Sequence, residues 1–160
     1  GQAAGIAAHV ALSRNVPVSQ APVAEVQRLL HERGAYTCYF SDVDARSPYF
    51  RAAQYFGTRG FFHHLIDPQQ ITFTAPKLLR PGHQYFEAMP HHAAALNQPV
   101  DEPLARHWLG LLASEAMRTR ASSDAALRPN GKLTRGEFLQ RLYQLVTTPS
   151  DSDRPQSGQN

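Results

Sequence analysis

Cysteine occurs once in the 160-residue chain, at Cys38, so no internal disulfide can form and no cysteine-based zinc site exists. Lysine is almost as scarce: it is confined to Lys77 and Lys132, and the formal charge of +3 rests on arginines interspersed with Asp and Glu. Nucleic-acid binding draws on clustered positive charge with stacking aromatics on the same surface, so with this dispersed pattern no nucleic acid is expected as a partner. No run approaches the ~20 apolar residues that cross a bilayer, and no transmembrane segment is expected. A Gly-x-Ser-x-Gly elbow, a phosphate-binding loop and a pair of acids spaced for hydrolysis are all missing. Catalytic residues are therefore unknown from the sequence.

What is present suffices for one ordinary domain or two small ones. Apolar residues make up 42% of the chain and charged residues 18%, a balance that favours a packed core over disorder. The stretch "TTPSDSDRPQSGQN" (147–160) is the exception, because it has no apolar period and is rich in Ser, Asp, Pro and Gln; it predicts a disordered tail.

Helical signals dominate elsewhere. "QAAGIAAHVALS" (2–13) predicts a helix with Ala and Ile on several sides, stopped at Arg14-Asn15. In "VPVSQAPVAEVQRLLHERG", Pro22 suits a first turn, Val23, Val26, Leu29 and Leu30 make an apolar stripe, and Gly34 suits the C-terminal cap. "AYTCYF" (35–40) is β-favourable and reads as one strand or an extended connector. Ser47 then caps a helix that has Pro48 in its first turn, turns Tyr49, Ala52, Ala53 and Phe56 inward, and ends near Gly57 or Gly60. A brief alternation at Ile71 and Phe73 precedes a helix expected from Pro81 toward Met89. "DEPLARHWLGLLASEAMRTR" (101–120) reads as a single helix, with Asp101 and Glu102 at its positive end and Arg118 and Arg120 at its negative end. Thr134 and Glu137 form a capping box ahead of Phe138, Leu142 and Leu145 at helical spacing. The expected fold class is mainly α with short extended connectors.

A shift of 55 residues superposes Pro48 on Pro103, Arg51 on Arg106, Lys77 on Lys132, Leu78 on Leu133 and Arg80 on Arg135. Both copies then run from a proline-started helix through a turn-rich connector to a polar cap and an apolar helix, which predicts two copies of one helical hairpin.

The polar residues carry little chemistry by pattern alone. Adjacent histidines such as His63-His64 and His91-His92 point about 100° apart on a helix, so neither pair supplies two ligands to one ion. "SDVDARS", with Asp42 and Asp44, lacks the Gly and closing Glu of a calcium loop, and Asp67 stands alone in a turn. Helix capping and solvation account for these acids, and no metal is expected. The opening "GQAAGIAA" is different in kind, since a helix N-terminus presents unpaired amides and partial positive charge. Gly1 and Gly5 there remove side chains and admit a flat ligand to the backbone.

"GQAAGIAAHVALSRNVPVSQAPVAEVQRLLHERGAY" resembles the closing segment of bacterial FAD-dependent oxidoreductases with a glutathione-reductase-like flavin domain. The resemblance covers residues 1–40 in order and spacing: a Gly-Gln-Ala-Ala-Gly helix, a "V-P-V" link and a helix ending in "L-x-x-x-G". It implies FAD as cofactor and Gly1, Gln2, Ala3, Ala4 and Gly5 as cofactor-binding residues, with their amides facing the pyrimidine side of the isoalloxazine. Residues 41–146 resemble S-layer-homology-type helical repeats, through "SDVDARSPYFRAAQYFGTRGFF" and "RPNGKLTRGEFLQRLYQLV". "HHLIDPQQITF" replaces the usual Gly-rich connector, so binding of cell-wall polysaccharide does not carry over directly.

The Gly-x-Gly-x-x-Gly loop that receives the FAD pyrophosphate in such enzymes is absent from the chain. The resemblances together imply an incomplete flavin-domain end (1–40), an S-layer-homology-like helical region (41–146) and the tail (147–160). They imply the C-terminal portion of an oxidoreductase, inactive alone, whose partner is the remaining N-terminal flavin domain. The competing expectation is an autonomous interaction module that binds a cell-wall polymer or a protein. By analogy alone, the S-layer-type repeats imply an extracytoplasmic setting.

Overall fold

Asn15 ends the first helix where the sequence predicts, in the left-handed conformation (φ 52°) that Asn tolerates, and its N–H reaches back to Ala11 and Leu12. Such stops recur along the chain. The structure, a computed structural model, describes residues 1–65 and 93–148. These are mainly α, with six α-helices, three 3₁₀ turns and no strand among the described residues. They fall into two compact units, which part between Leu96 and Asn97. Residue 40, where the sequence resemblances change, lies inside the first unit.

In the first unit, α1 (Gln2–Arg14) packs on α2 (Val23–Glu32), and α2 packs on α3 (Phe50–Gly57). Ile6 and Val10, one helical turn apart on α1, meet Leu30 of α2 in a buried cluster, and Val26 and Leu29 pack at its margin. Each such side chain contributes about 1.5–3 kcal/mol by leaving water. The expected stripe holds only in its later part: Val23 is 69% exposed, and His31 is buried in its place. Gly34 follows α2 at φ 73°, a left-handed turn that lets Ala35 N–H close onto the Leu30 carbonyl.

Ala52, Ala53 and Phe56 face inward on α3 as their spacing predicts, and Phe50 is buried with them, but Ser47 does not cap the helix: it starts at Phe50, past Pro48, with half-buried Tyr49 at its N-cap. Phe56 tilts against Phe61 at 4.5 Å, and Phe40 meets Phe62 edge-on at 4.8 Å. A Cβ on Gly57 would stand 2.9 Å from Phe40 Cζ and 3.0 Å from Cys38 Cβ, so this glycine lets α3 end against the 38–40 segment. Residues 35–40 form a connector and not a strand. The expectations for Asp67, Ile71, Phe73 and Pro81–Met89 lie outside the described residues, as does the second half of the first proposed repeat.

The second unit corrects the reading of 101–120 as one helix. It is broken into α4 (Glu102–Gly110) and α5 (Glu115–Ser123). Gly110 gives α4 a weak end, and the Ser114 hydroxyl starts a new helix by accepting from Met117 N–H at 3.2 Å. Arg118 steadies the break by donating to the Leu112 carbonyl at 2.7 Å. Asp101 caps α4 by accepting from Leu104 N–H at 2.8 Å, with Pro103 in the first turn. Trp108, Phe138, Leu139 and Leu142 form the interior, and the Trp108 and Phe138 rings lie 5.7 Å apart.

The last helix, α6 (Arg135–Thr147), starts with the full capping box predicted from Thr134 and Glu137. Val100 N–H donates to the Leu133 carbonyl and Arg135 N–H to the Gln98 carbonyl, so the α4 lead is stitched to the α6 cap. Thr134→Ala is expected to lower stability by about 1 kcal/mol in urea melts. The Thr134 amide, then its hydroxyl, hold the Glu137 carboxyl below its ordinary 4.5. A depressed folded value means that the box stabilises fully above pH 4.5 and is lost as pH falls through the folded value. The acid limb of the Thr134→Ala stability profile should therefore be flatter than that of the wild type. Residues 149–160 of the predicted tail lie outside the described residues.

Candidate functional site

Gly1, Gln2, Ala3, Ala4 and Gly5 occupy the N-cap and first turn of α1, and all five are exposed. No side chain caps this helix start, and the first intrahelical closure is Gly5 N–H to the Gly1 carbonyl at 3.0 Å. The amides ahead of that closure belong to the set that no helix satisfies internally. Nothing lies within 4 Å of where a Cβ would stand on Gly1 or Gly5. The turn thus offers backbone donors with open space at both glycines. The rest of the helix is anchored from behind through Ile6, Val10 and Ala11.

Beyond its first turn α1 has a polar face at His9 and Ser13, and apolar residues on its other sides. Here Leu12 is 82% exposed, and with Ala8, Ala11, Val16, Pro17 and Val18 it lines an open groove of about 520 Å³. Val23 adds a further exposed apolar side chain at the start of α2.

Sequence reasoning missed a second constellation, His31, Thr37 and Gln54. Gln54 Oε1 accepts from Thr37 N–H at 2.7 Å, from Cys38 N–H at 2.8 Å and from the Thr37 hydroxyl at 3.2 Å. Its Nε2 donates to the Cys38 carbonyl at 2.9 Å. One side-chain amide therefore does for this connector what a neighbouring strand would do in a sheet. His31 Nε2 lies 2.8 Å from Thr37 Oγ1, and its Nδ1 is buried without a partner among the described residues. Burial, then the Arg59 guanidinium, hold His31 below the ordinary imidazole value. A signal existed in the sequence: Gln54 follows Phe50 by one helical turn and Ala53 by one residue, which places a polar group on the buried stripe.

The remaining candidates resolve into structural roles. Asp42 accepts from Ala94 N–H and Ala95 N–H, both at 2.8 Å, holding a turn in which Ala95 has φ 51°. Asp44 is exposed and pairs with Arg46, whose side-chain hydrogen bond is the first cause of its lowered carboxyl value. Burial pushes the Cys38 thiol up, the opposite of a poised nucleophile. Among the described residues no three His, Cys, Asp or Glu side chains are grouped to hold a metal ion. His91 and His92, and the side chain of His64, lie outside the description. Among the described residues no helix is long and apolar enough to cross a membrane. Comparison with protein-family models, with curated proteins and with solved structures finds no match.

Proposed function

We propose that this chain supplies the flavin-contacting closing helix and a helical accessory region of an FAD-dependent oxidoreductase, and that it is inactive alone. The observation that carries this reading is the order of a Gly-Gln-Ala-Ala-Gly helix, a V-P-V link and a second helix closed at Gly34, in which α1 is anchored through Ile6, Val10 and Ala11 and leaves open space at Gly5. The uncovered apolar surface around Leu12 and Val18 supports it, since a flavin domain packed there would cover α1 on that apolar side. FAD would bring the hydride-accepting chemistry. The residues of this chain would bind and orient the cofactor: the amides of Gln2, Ala3 and Ala4 stabilise negative charge at its N1/C2=O edge, and Gly1 and Gly5 permit close approach.

Gly5→Leu separates this function from folding. With open space around Gly5, the melting of the chain itself should be unchanged or slightly raised, because Leu is the better helix former. In the protein expressed from its complete reading frame, the same change should remove most of the visible flavin absorbance. A wild-type complete protein that purifies colourless, or a Gly5→Leu form with full flavin content, would contradict the proposal.

A second reading, an interaction module for a cell-wall polymer or a protein, draws on the second unit. There the Asp101 lead and the Thr134–Glu137 box close one helical unit through Val100 and Leu133. Retention of the chain on peptidoglycan or its secondary polymers supports this reading, and retention no greater than that of a scrambled control ends it.

A further inference from the structure

We infer that His31, Thr37 and Gln54 form an acid-released latch, in which a second ring proton on His31 expels it from the interior and frees α2 from the connector to α3. The hydrogen-bond directions follow from the donors present. Two backbone N–H groups converge on Gln54 Oε1, and the Cys38 carbonyl faces Nε2, so the amide orientation is fixed. The hydroxyl proton of Thr37 goes to Gln54 Oε1, which leaves its oxygen to accept from His31 Nε2–H. That direction makes His31 the neutral Nε2–H tautomer, with Nδ1 a bare lone pair in a side chain only 2% exposed.

A proton arriving at Nδ1 finds no acceptor and creates a buried cation. The charged and polar groups around it offer no relief. Gln54 comes from α3 and is saturated, and Thr37 and the neutral Cys38 thiol come from the connector. Arg14 of α1 is committed to Glu25 of α2, and Arg28 to Glu32 on His31's own helix. Arg59, which follows α3, is positive and is held over the Tyr55 ring at 3.6 Å while it donates to the Tyr55 carbonyl. Its field and the desolvation both act against the imidazolium. Water is the remaining refuge, and reaching it breaks the Thr37 bond. Because the folded form binds the proton less readily than the open form, the latch is fully closed above about 6.5. It loosens as pH falls below that, by up to about tenfold in the opening constant per pH unit.

Hydrogen exchange of the full chain tests this, read as protection factors of the Gly34 and Ala35 amides, which close the end of α2 on the His31 and Leu30 carbonyls, at about pH 7.5 and about pH 5. Protection in the wild type should fall severalfold between the two. His31→Gln keeps a donor near the Nε2 position but does not titrate, and its protection should stay level. A level wild type, or an equal fall in both proteins, overturns the latch. Should His31→Gln fail to fold, Thr37→Val serves in its place: it should be poorly protected already at neutral pH and fall no further, and a full acid-dependent fall in it also overturns the proposal. The His31 ring resonance must in every case titrate below its ordinary value, and a midpoint at or above it overturns the proposal.

Discussion

Replacing Gln54 with leucine should destabilise the first unit by about 2–4 kcal/mol, although leucine is apolar, similar in size and enters a fully buried position. The loss comes from what Gln54 leaves behind. Thr37 N–H, Cys38 N–H and the Cys38 carbonyl all lose their partner at once, and no neighbouring strand takes over. An orphaned backbone group costs on the order of 1–3 kcal/mol where water is shut out, and the sum here falls at the low end because Cys38 is half-buried and Thr37 exposed, against total stabilities of about 5–15 kcal/mol for a domain. Urea melts followed by circular dichroism check this, with amide exchange at residues 37 and 38 as a local readout. A loss below about 1 kcal/mol would mean that the connector is satisfied by solvent and that Gln54 is not its organiser.

Trp108→Ala should have an effect of similar size in the second unit, about 3–5 kcal/mol. Trp108 is fully buried and lies against Phe138, and through α4 and α6 it holds together the interior that also contains Leu139 and Leu142. A unit this short has little core in reserve, so removing its largest side chain should abolish cooperative melting of that part of the chain. Trp108→Phe retains most of the ring volume and should cost considerably less. Equal losses for the two variants would point to the indole N–H and not to packing as what matters there.

Much of the fold was legible because its boundaries are set by local chemistry. Asn15, Gly34, Asp101 and the Thr134–Glu137 pair act within one turn of their own backbone, and each stops or starts a helix where its residue type predicts. The break at 111–114 was not legible, because the apolar spacing of Leu104, Trp108, Leu111 and Leu112 continues through it. What decides there is the Ser114 cap and the Arg118–Leu112 bond, both weaker signals than a hydrophobic period. His31 and Gln54 were missed for a related reason: a polar residue on an apolar stripe declares a partner without naming it. That partner, Thr37–Cys38, lies in a segment whose composition left a strand and an extended connector both open.

The candidate flavin contact is legible as position only. Residues 1–5 form the first turn of a helix, as their pattern indicates, with open space around both glycines. A turn whose side chains are two methyls and one exposed carboxamide carries little side-chain signature of its ligand, so the assignment to FAD rests on motif order. Amide exchange at Gln2, Ala3 and Ala4 in the complete protein, compared with and without bound FAD, tests it most directly. FAD should slow exchange at these amides, while those around Val10 and Leu30 change little. Exchange at Gln2, Ala3 and Ala4 that is indifferent to FAD would contradict it.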